Sequence, residues 1–531
     1  MIVQPGPSGK HCHGVCRREC TVIPGFEEAL CFGFRSDNAG PPTSIEMVLH
    51  WFEITREQFP GATVESSTFS MYVDALLPYK NKLPTITSEA GDVWIQGVAS
   101  DPYKMAVNRA LTRVLSTCVM NKLCSTADPK IRNSTRMLVK IPEHTWGLPS
   151  INVNGKPDNI NWRNVDFEKA RSSGPFRAGY TDCHEGWREQ RLFNDYALAA
   201  LKGHPVYAKA KAAVDNVRVP YTKPALDGYD NVGLSKETFV CGNVKLAFDT
   251  VHGGLSFLQI DKKIWVDSTT SPGTSRFLSF SYSTYNESDY DQMHAACTAA
   301  NNNGISCGYG GYDKPNSTCN GKGCPAQKTF KPILQSIHVR KSNKPCEFLL
   351  DLQMPTDSHT YYGSVANMWV NVTVVADRFN VDIVALNKTA TRLPESMMLE
   401  FFPKIQDRNH SWWMNKLGSW ISPYEVNKEF LGGNVWQHAI NKGIVYGTSP
   451  SNGLMISSLD TPVVSPGTKN QDPSPFIKTV EPLQDHAVVG FGFNMWNNIW
   501  NTNYIFYYPY LEDIGDENLR FRFEIQSMQE K

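Results

Sequence analysis

The sequence predicts a multidomain protein, α/β followed by all-β. A partial parallel (β/α) barrel-like domain is expected over residues 1–150, a short helical bundle segment with a linker over 151–235, and a large antiparallel β-sandwich, supersandwich-like, over 236–531. Three observations lead there. Residues 27–150 alternate apolar strand-like runs with amphipathic helix-like stretches, as parallel sheets and barrels require. Residues 160–218 carry helical periodicity alone. From about residue 240 onward, short β-rich runs are split by Gly, Asn and Pro, the pattern of a large antiparallel sandwich.

Taken in order, residues 29–34 form a short apolar run ending in the polar Arg35-Ser-Asp-Asn38. Thr43 or Ser44 then caps a helix reaching Phe59, with Ile45, Val48, Leu49, Phe52 and Ile54 on its apolar side. Residues 62–67 read as the next strand, 69–77 as a helix and 92–96 as a further strand. Asp101-Pro102 starts a helix through Val114, with Asp as N-cap and Pro in the first turn. Residues 137–141 read as a strand leading into Pro142-Glu-His-Thr-Trp-Gly147. In such folds the polar residues that follow strands line the active site, and Asp37, Asn38, Asp101, Glu143 and His144 hold those positions. Helices follow at 165–171, 185–201 and 206–217, and Pro and Gly mark 221–233 as a linker. The β-rich runs are 244–248, 255–260, 277–282, 348–352, 368–376, 381–386, 398–402, 443–446, 454–458, 488–493 and 504–508. Residues 301–323 read as an exposed loop.

Composition excludes some classes. Lys plus Arg and Asp plus Glu are equal at 52 each, so no chain-wide field steers the protein to nucleic acid or an anionic membrane. No run approaches the roughly 18 apolar residues of a membrane helix. The aromatic fraction is 11%; Trp and Tyr faces stack on sugars, but they also fill sandwich cores, the commoner use.

Thirteen cysteines include the close group Cys12, Cys16 and Cys20, the pair Cys297 and Cys307 around an Asn/Gly-rich stretch, and Cys319 and Cys324 around Asn-Gly-Lys-Gly. Short loops of this kind gain much from disulfides. The competing reading is a metal site at His11-Cys12-His13 with Cys16 and Cys20, whose spacing fits no paired zinc knuckle. Asn-x-Ser/Thr sequons stand at Asn133, Asn286, Asn316, Asn371, Asn387 and Asn409, as in a glycoprotein of the secretory route. The opening Met1-Ile-Val-Gln-Pro-Gly has no apolar export segment. The expectation is a secreted or endomembrane-lumen chain that lacks its N-terminal part.

Residues 34–113 resemble the second half of the catalytic barrel of glycoside hydrolase family 38, the α-mannosidases. The resemblance rests on Ser36-Asp-Asn38, Met71-Tyr-Val-Asp-Ala75 and Trp94-Ile-Gln-Gly-Val-Ala-Ser-Asp-Pro102, with Lys104 and Arg109 following. A longer resemblance, to an uncharacterised related branch, runs through Gly91-Asp-Val-Trp-Ile95, Glu143-His-Thr-Trp-Gly147, Gln190-Arg191, Lys416-Leu-Gly-Ser-Trp-Ile421, Ser458-Leu-Asp-Thr-Pro462 and Asn494-Met-Trp-Asn-Asn-Ile-Trp-Asn-Thr-Asn503.

The resemblance implies a retaining, zinc-dependent glycosidase acting on α-mannoside-like glycans, with two carboxyl groups of unlike protonation. By that likeness Asp37 and Asn38 occupy the catalytic acidic pair, although an Asn cannot donate the proton and Asp37 also reads as a loop or cap residue. His144 matches the late zinc ligand, against the plainer reading of a hydrogen-bonded loop histidine. Asp92, Trp94, Asp101 and Trp146 are the candidate substrate-binding residues, although Asp101 reads first as a helix cap and Trp146 first as a packing residue. The family's early His-x-Asp and its nucleophile precede the strand at 29–34, and residues 1–28 hold no Asp. Zinc is therefore expected with one ligand candidate here. The alternative is a non-catalytic secreted carbohydrate-binding or structural protein on the same scaffold.

Overall fold

A computed structural model of the chain describes residues 2–4, 20–33, 41–86, 95–142, 161–218, 221–299, 326–340, 346–429, 434–499 and 515–529. It divides into two compact units, Met1–Thr87 and Ser88–Lys531, so the helices between residues 102 and 217 fold with the sandwich.

In the first unit, Ser44 caps the helix Ile45–Gln58 by accepting the Met47 N–H, and Thr68 caps Phe69–Leu76 through the Met71 N–H. The strands Ala29–Cys31 and Thr63–Glu65 flank Ile2–Gln4, with Cys20–Val22 outermost. Both neighbours of Ile2–Gln4 pair with it antiparallel, which makes Ala29–Cys31 and Thr63–Glu65 parallel to each other. The expected strand–helix–strand crossover is present, but another strand fills the place of direct parallel pairing. Cys20 and Cys31, opposite each other in the register, form a disulfide.

Two expectations are corrected. Among the described residues every strand pairing is antiparallel, so they do not build a parallel barrel-like sheet. Residues 137–141 belong to no strand. They close the helix Pro129–Lys140 and the turn after it, because Asp128 accepts the Lys130 and Ile131 N–H groups and Pro129 occupies the first turn. Ile131, Ser134 and Leu138 line the buried face of that helix at helical spacing.

Four helices of the second unit, Pro102–Met120, Pro129–Lys140, Arg177–Ala200 and Tyr207–Val217, share one apolar cluster. Cys118 and Cys124 staple the end of the first of them. Beyond them stands the expected sandwich. Its ten-stranded sheet runs Ser419–Ile421, Ser411–Lys416, Gly443–Ser449, Asn452–Ser458, Leu519–Met528, Arg378–Leu386, Asn367–Val375, Cys346–Gln353, Ile333–Arg340, Tyr229–Gly233. Its six-stranded sheet runs Thr329–Phe330, Phe277–Thr284, Glu395–Phe401, Val488–Asn497, Val463–Thr468, His438–Ala439. Phe401 and Phe493 from the second meet Phe523 from the first at 6.0 and 5.2 Å between ring centres, inside one core.

A four-stranded meander, Phe239 to Asp267, adds to that core and is tied to the ten-stranded sheet by Cys241–Cys346. The linker expected over 221–233 ends in an edge strand, Tyr229–Gly233, which pairs with Ile333–Arg340. Its polar Asp230 and Asn231 suit an exposed edge and hide the strand from a reading based on hydrophobicity. Residues 301–323 and 504–508, expected as loop and strand, lie outside the described residues, as do 92–94 of the strand expected at 92–96. Gln96–Ala99 is a 3-10 turn.

One glycine pair shapes the sheet. A Cβ on Gly490 would stand 2.3 Å from the Phe402 ring and one on Gly492 would stand 2.8 Å from Pro473. Glycine at both places lets those rings lie flat on the outer face of the six-stranded sheet.

Candidate functional site

Asp37, Asn38, Asp92, Trp94, His144 and Trp146 lie outside the described residues, as does Asn316. Asp101 is described, and its carboxylate is engaged within the fold. One oxygen accepts the Lys104 N–H at 3.0 Å and caps the helix Pro102–Met120. Arg191 reaches the same carboxylate twice, at 2.7 and 2.9 Å, and holds Asp516 at 2.9 Å with its other branch. Burial alone would lower the Arg191 pKa, but Asp101 and Asp516 outweigh it and raise it.

Arg109, another residue of the resemblance, clamps chain carbonyls. It donates to Ile440, Asn441, Ser458 and Leu459 at 2.9, 2.8, 2.7 and 3.3 Å. Burial, then Arg113, bring its pKa down to about 10. The phrase Ser458-Leu-Asp-Thr-Pro462 is thus a knot between helix and sheets: Asp460 takes Arg522 at 2.6 Å, and the Thr461 hydroxyl donates to the Asn494 carbonyl at 2.6 Å.

These contacts bring three distant phrases together. Ile95, Val98 and Ala99, from the run 94–102, share a cluster with Val463 of the six-stranded sheet, and the Ser100 hydroxyl donates to Asn497 at 2.7 Å. Val464 pairs with Phe493, and both face the sandwich core. Strand alternation therefore turns Val463 and Asn494 outward, onto the face that the 3-10 turn covers. Met398 stands opposite Asn494 on the same face.

Several buried polar groups of the sandwich are left over. Asn494 is fully buried, and neither its amide oxygen nor its amide nitrogen has a hydrogen-bond partner. The same holds for both side-chain atoms of Gln437. Asn434 uses its oxygen to accept the Trp436 and Gln437 N–H groups, leaving its nitrogen unpartnered. Native folds pair nearly all such groups with protein atoms or ordered water. The sequence reading singled out Asn494 only as part of a phrase and missed Asn434 and Gln437. Their signal was the polar–aromatic run Asn434-Val-Trp-Gln-His438.

A second polar group was not legible from spacing. Lys388 and Glu395 are fully buried 2.7 Å apart, and Tyr282, from another strand, donates to Glu395. Burial disfavours both charges, pushing Lys388 down and Glu395 up.

For zinc, the described donors do not fit: among the described residues no group of three or more His, Cys, Asp and Glu side chains could hold a metal ion. The fully buried His438 offers an unpartnered Nδ1. Burial, then Lys416, hold its pKa down at about 3.

The sequons differ in setting. Asn387 is exposed just after the strand Arg378–Leu386, Asn409 is exposed at a turn, and Asn133 is exposed on the helix Pro129–Lys140. Asn286 bonds the Ser288 N–H at the head of the helix Glu287–Ala299. Asn371 lies within a central strand, its amide nitrogen donating to Glu347 at 3.2 Å.

This is a helix-covered antiparallel sandwich with buried, unsatisfied amides beneath the cover. The family model described as "Domain of unknown function (DUF5054)" matches residues 98–381, more than half of the chain, and the protein belongs to that family. A search of curated proteins returns no match. Among solved structures, the chain is similar to an alpha-mannosidase from Enterococcus faecalis V583, with 8% identity, a TM-score of 0.46, and coverage of 90% of this chain and 61% of that one. A glycosyl hydrolase family 38 protein from Enterococcus faecalis has 8% identity and a TM-score of 0.42, over 94% of this chain and 68% of its own. A putative aldose 1-epimerase from Escherichia coli K12 has 9% identity and a TM-score of 0.26, over 56% and 99%. The chain thus spans 61% of the length of the enterococcal alpha-mannosidase.

Proposed function

We propose that this is a glycan-directed protein that seats sugar hydroxyls beneath the cover of the six-stranded sheet, on a scaffold of the α-mannosidase kind. One observation carries the reading: the described parts of the runs that bear the sequence resemblance, 95–102, 458–462 and 494–499, meet at the strand Val488–Asn497, which carries the unpartnered amide of Asn494. A carboxamide offers donors and an acceptor together, the complement of a sugar hydroxyl. Ordered water would satisfy the same atoms, so the test must distinguish the two.

The finer proposal is retaining hydrolysis of α-mannoside-like glycans with zinc, resting on Asp37, Asp92, Trp94, His144 and Trp146 through the resemblance alone. A secreted or lumenal location agrees with three disulfides among the described residues. No described helix is long and apolar enough to cross a membrane.

The experiment is equilibrium binding of mannose-terminated oligosaccharides to the intact chain, followed by aryl α-mannoside turnover with and without added zinc. Saturable binding supports the glycan reading, and its absence for every glycan overturns it. Turnover that His144→Ala abolishes, with the fold retained, supports the ligand role of His144; unchanged turnover rules it out.

A further inference from the structure

Next to Asn494 on the same sheet face is a cavity of about 330 Å³, within the size range of small-molecule sites. Met398, the cross-strand partner of Asn494, is part of its wall. Glu400, Ser281 and Ser283 come from the neighbouring strands, Tyr285 and Asp289 from the head of the helix Glu287–Ala299. The segment from Gln471 to Lys478 and the short edge strand Thr329–Phe330 complete the enclosure.

The chemistry of the wall narrows the occupant. Arg276 joins Glu400 at 2.7 Å and Asp472 at 2.9 Å. Lys478 stands 3.9 Å from Asp289, which also accepts from Gln327 at 3.1 Å. The Ser281 hydroxyl bonds Glu400 at 3.2 Å. Of the three cations among the described wall residues, Arg276 and Lys478 already face carboxylates, and Lys331 is the third. Burial raises the Asp289 pKa, so a further negative charge is unwelcome beside it. The wall offers charged and neutral donors and acceptors in alternation, with Met398 and the Tyr285 ring as the apolar parts. A neutral molecule dense in hydroxyls matches that pattern, and a dianion does not.

We propose that this cavity is a subsite for a neutral, hexose-sized polyhydroxylated unit, adjoining the Asn494 seat on the same face. The proposal rests on the glycan reading only for the choice of probe sugars. A glycan end seated at Asn494 would extend across Met398 into it.

The test uses the intact chain carrying Ser283→Cys, a small change at a half-buried wall position whose hydroxyl meets Thr329 at 2.8 Å. Alkylation of the new thiol by iodoacetamide is followed by peptide mass, alone and with methyl α-mannoside, methyl β-glucoside or inorganic phosphate. The expected result is slowing by about tenfold or more at saturating glycoside and none with phosphate. A second variant, Thr329→Trp on the exposed edge strand, fills the cavity and should weaken glycoside binding without lowering the thermal midpoint. Protection by phosphate alone overturns the proposal in favour of an anion site. Glycan binding that leaves both readouts unchanged overturns the subsite but leaves the Asn494 reading standing. Absence of any sugar binding overturns both.

Discussion

Replacing Asn494 with Leu should make the ligand-free protein more stable and less able to bind. The side chain is fully buried, and both of its polar atoms lack a partner. Each buried, unsatisfied group carries a desolvation penalty of about 1–3 kcal/mol. Leu has the same branching as Asn and removes both penalties without opening a cavity, and the apolar Met398 stands opposite it across the strand pair. The expected gain is about 2 kcal/mol or more, reduced to the extent that water enters the site in the wild type. Urea unfolding of the two proteins, followed by tryptophan fluorescence, reads it as a higher midpoint at unchanged slope. Glycan binding should fall at the same time, the trade expected of a strained functional position. A loss of stability above about 1 kcal/mol would refute the reasoning, because it would mean that the amide is already satisfied within the fold and serves structure.

Arg191→Met should destabilise by about 3–5 kcal/mol, since it strands Asp101 and Asp516 in a buried setting; chemical unfolding checks this, and a change below about 1 kcal/mol contradicts the clamp. The fold depresses the His438 pKa below its unfolded value, so the associated stability is present above about pH 6.5 and lost as pH falls toward the folded value of about 3. His438→Leu should flatten that decline by up to about 1.4 kcal/mol per pH unit across this window, measured as unfolding midpoints against pH; parallel curves would contradict it. Expressed through a secretory route, the protein should carry glycan at the exposed Asn387 and Asn409 and none at Asn371, whose amide nitrogen is held by Glu347; peptide mass spectrometry reads the occupancy.

The sandwich was largely legible because its strands are short apolar runs cut by turn residues. Residues 244–248 and 255–260 are strands to the residue. Helix starts were legible where a cap and a proline stand together, as at Asp101-Pro102. The same signal at Asp128-Pro129 was overlooked in favour of the apolar run at 137–141, whose residues lie at the end of a helix. Sheet direction was not legible: Ile2–Gln4 pairs between two strands far along the chain, and nothing local in its three residues announces that. Nor was the site. Asn434, Gln437, Asn494, Lys388 and Glu395 become a pattern only once burial is known, because a polar residue in sequence carries no mark of lacking a partner. Asp101 and Arg109, within or beside the run 94–102 that bears the resemblance, are engaged in holding the fold.

The most direct test of the central claim is a titration of the intact protein and its Asn494→Leu variant with mannose-terminated oligosaccharides, followed by calorimetry. The glycan reading predicts saturable binding by the wild type and a loss of affinity of about tenfold or more in the variant, equivalent to about 1.4 kcal/mol. Equal affinities would contradict the seat at Asn494, and heat traces without saturation for every glycan would contradict the glycan-directed function itself.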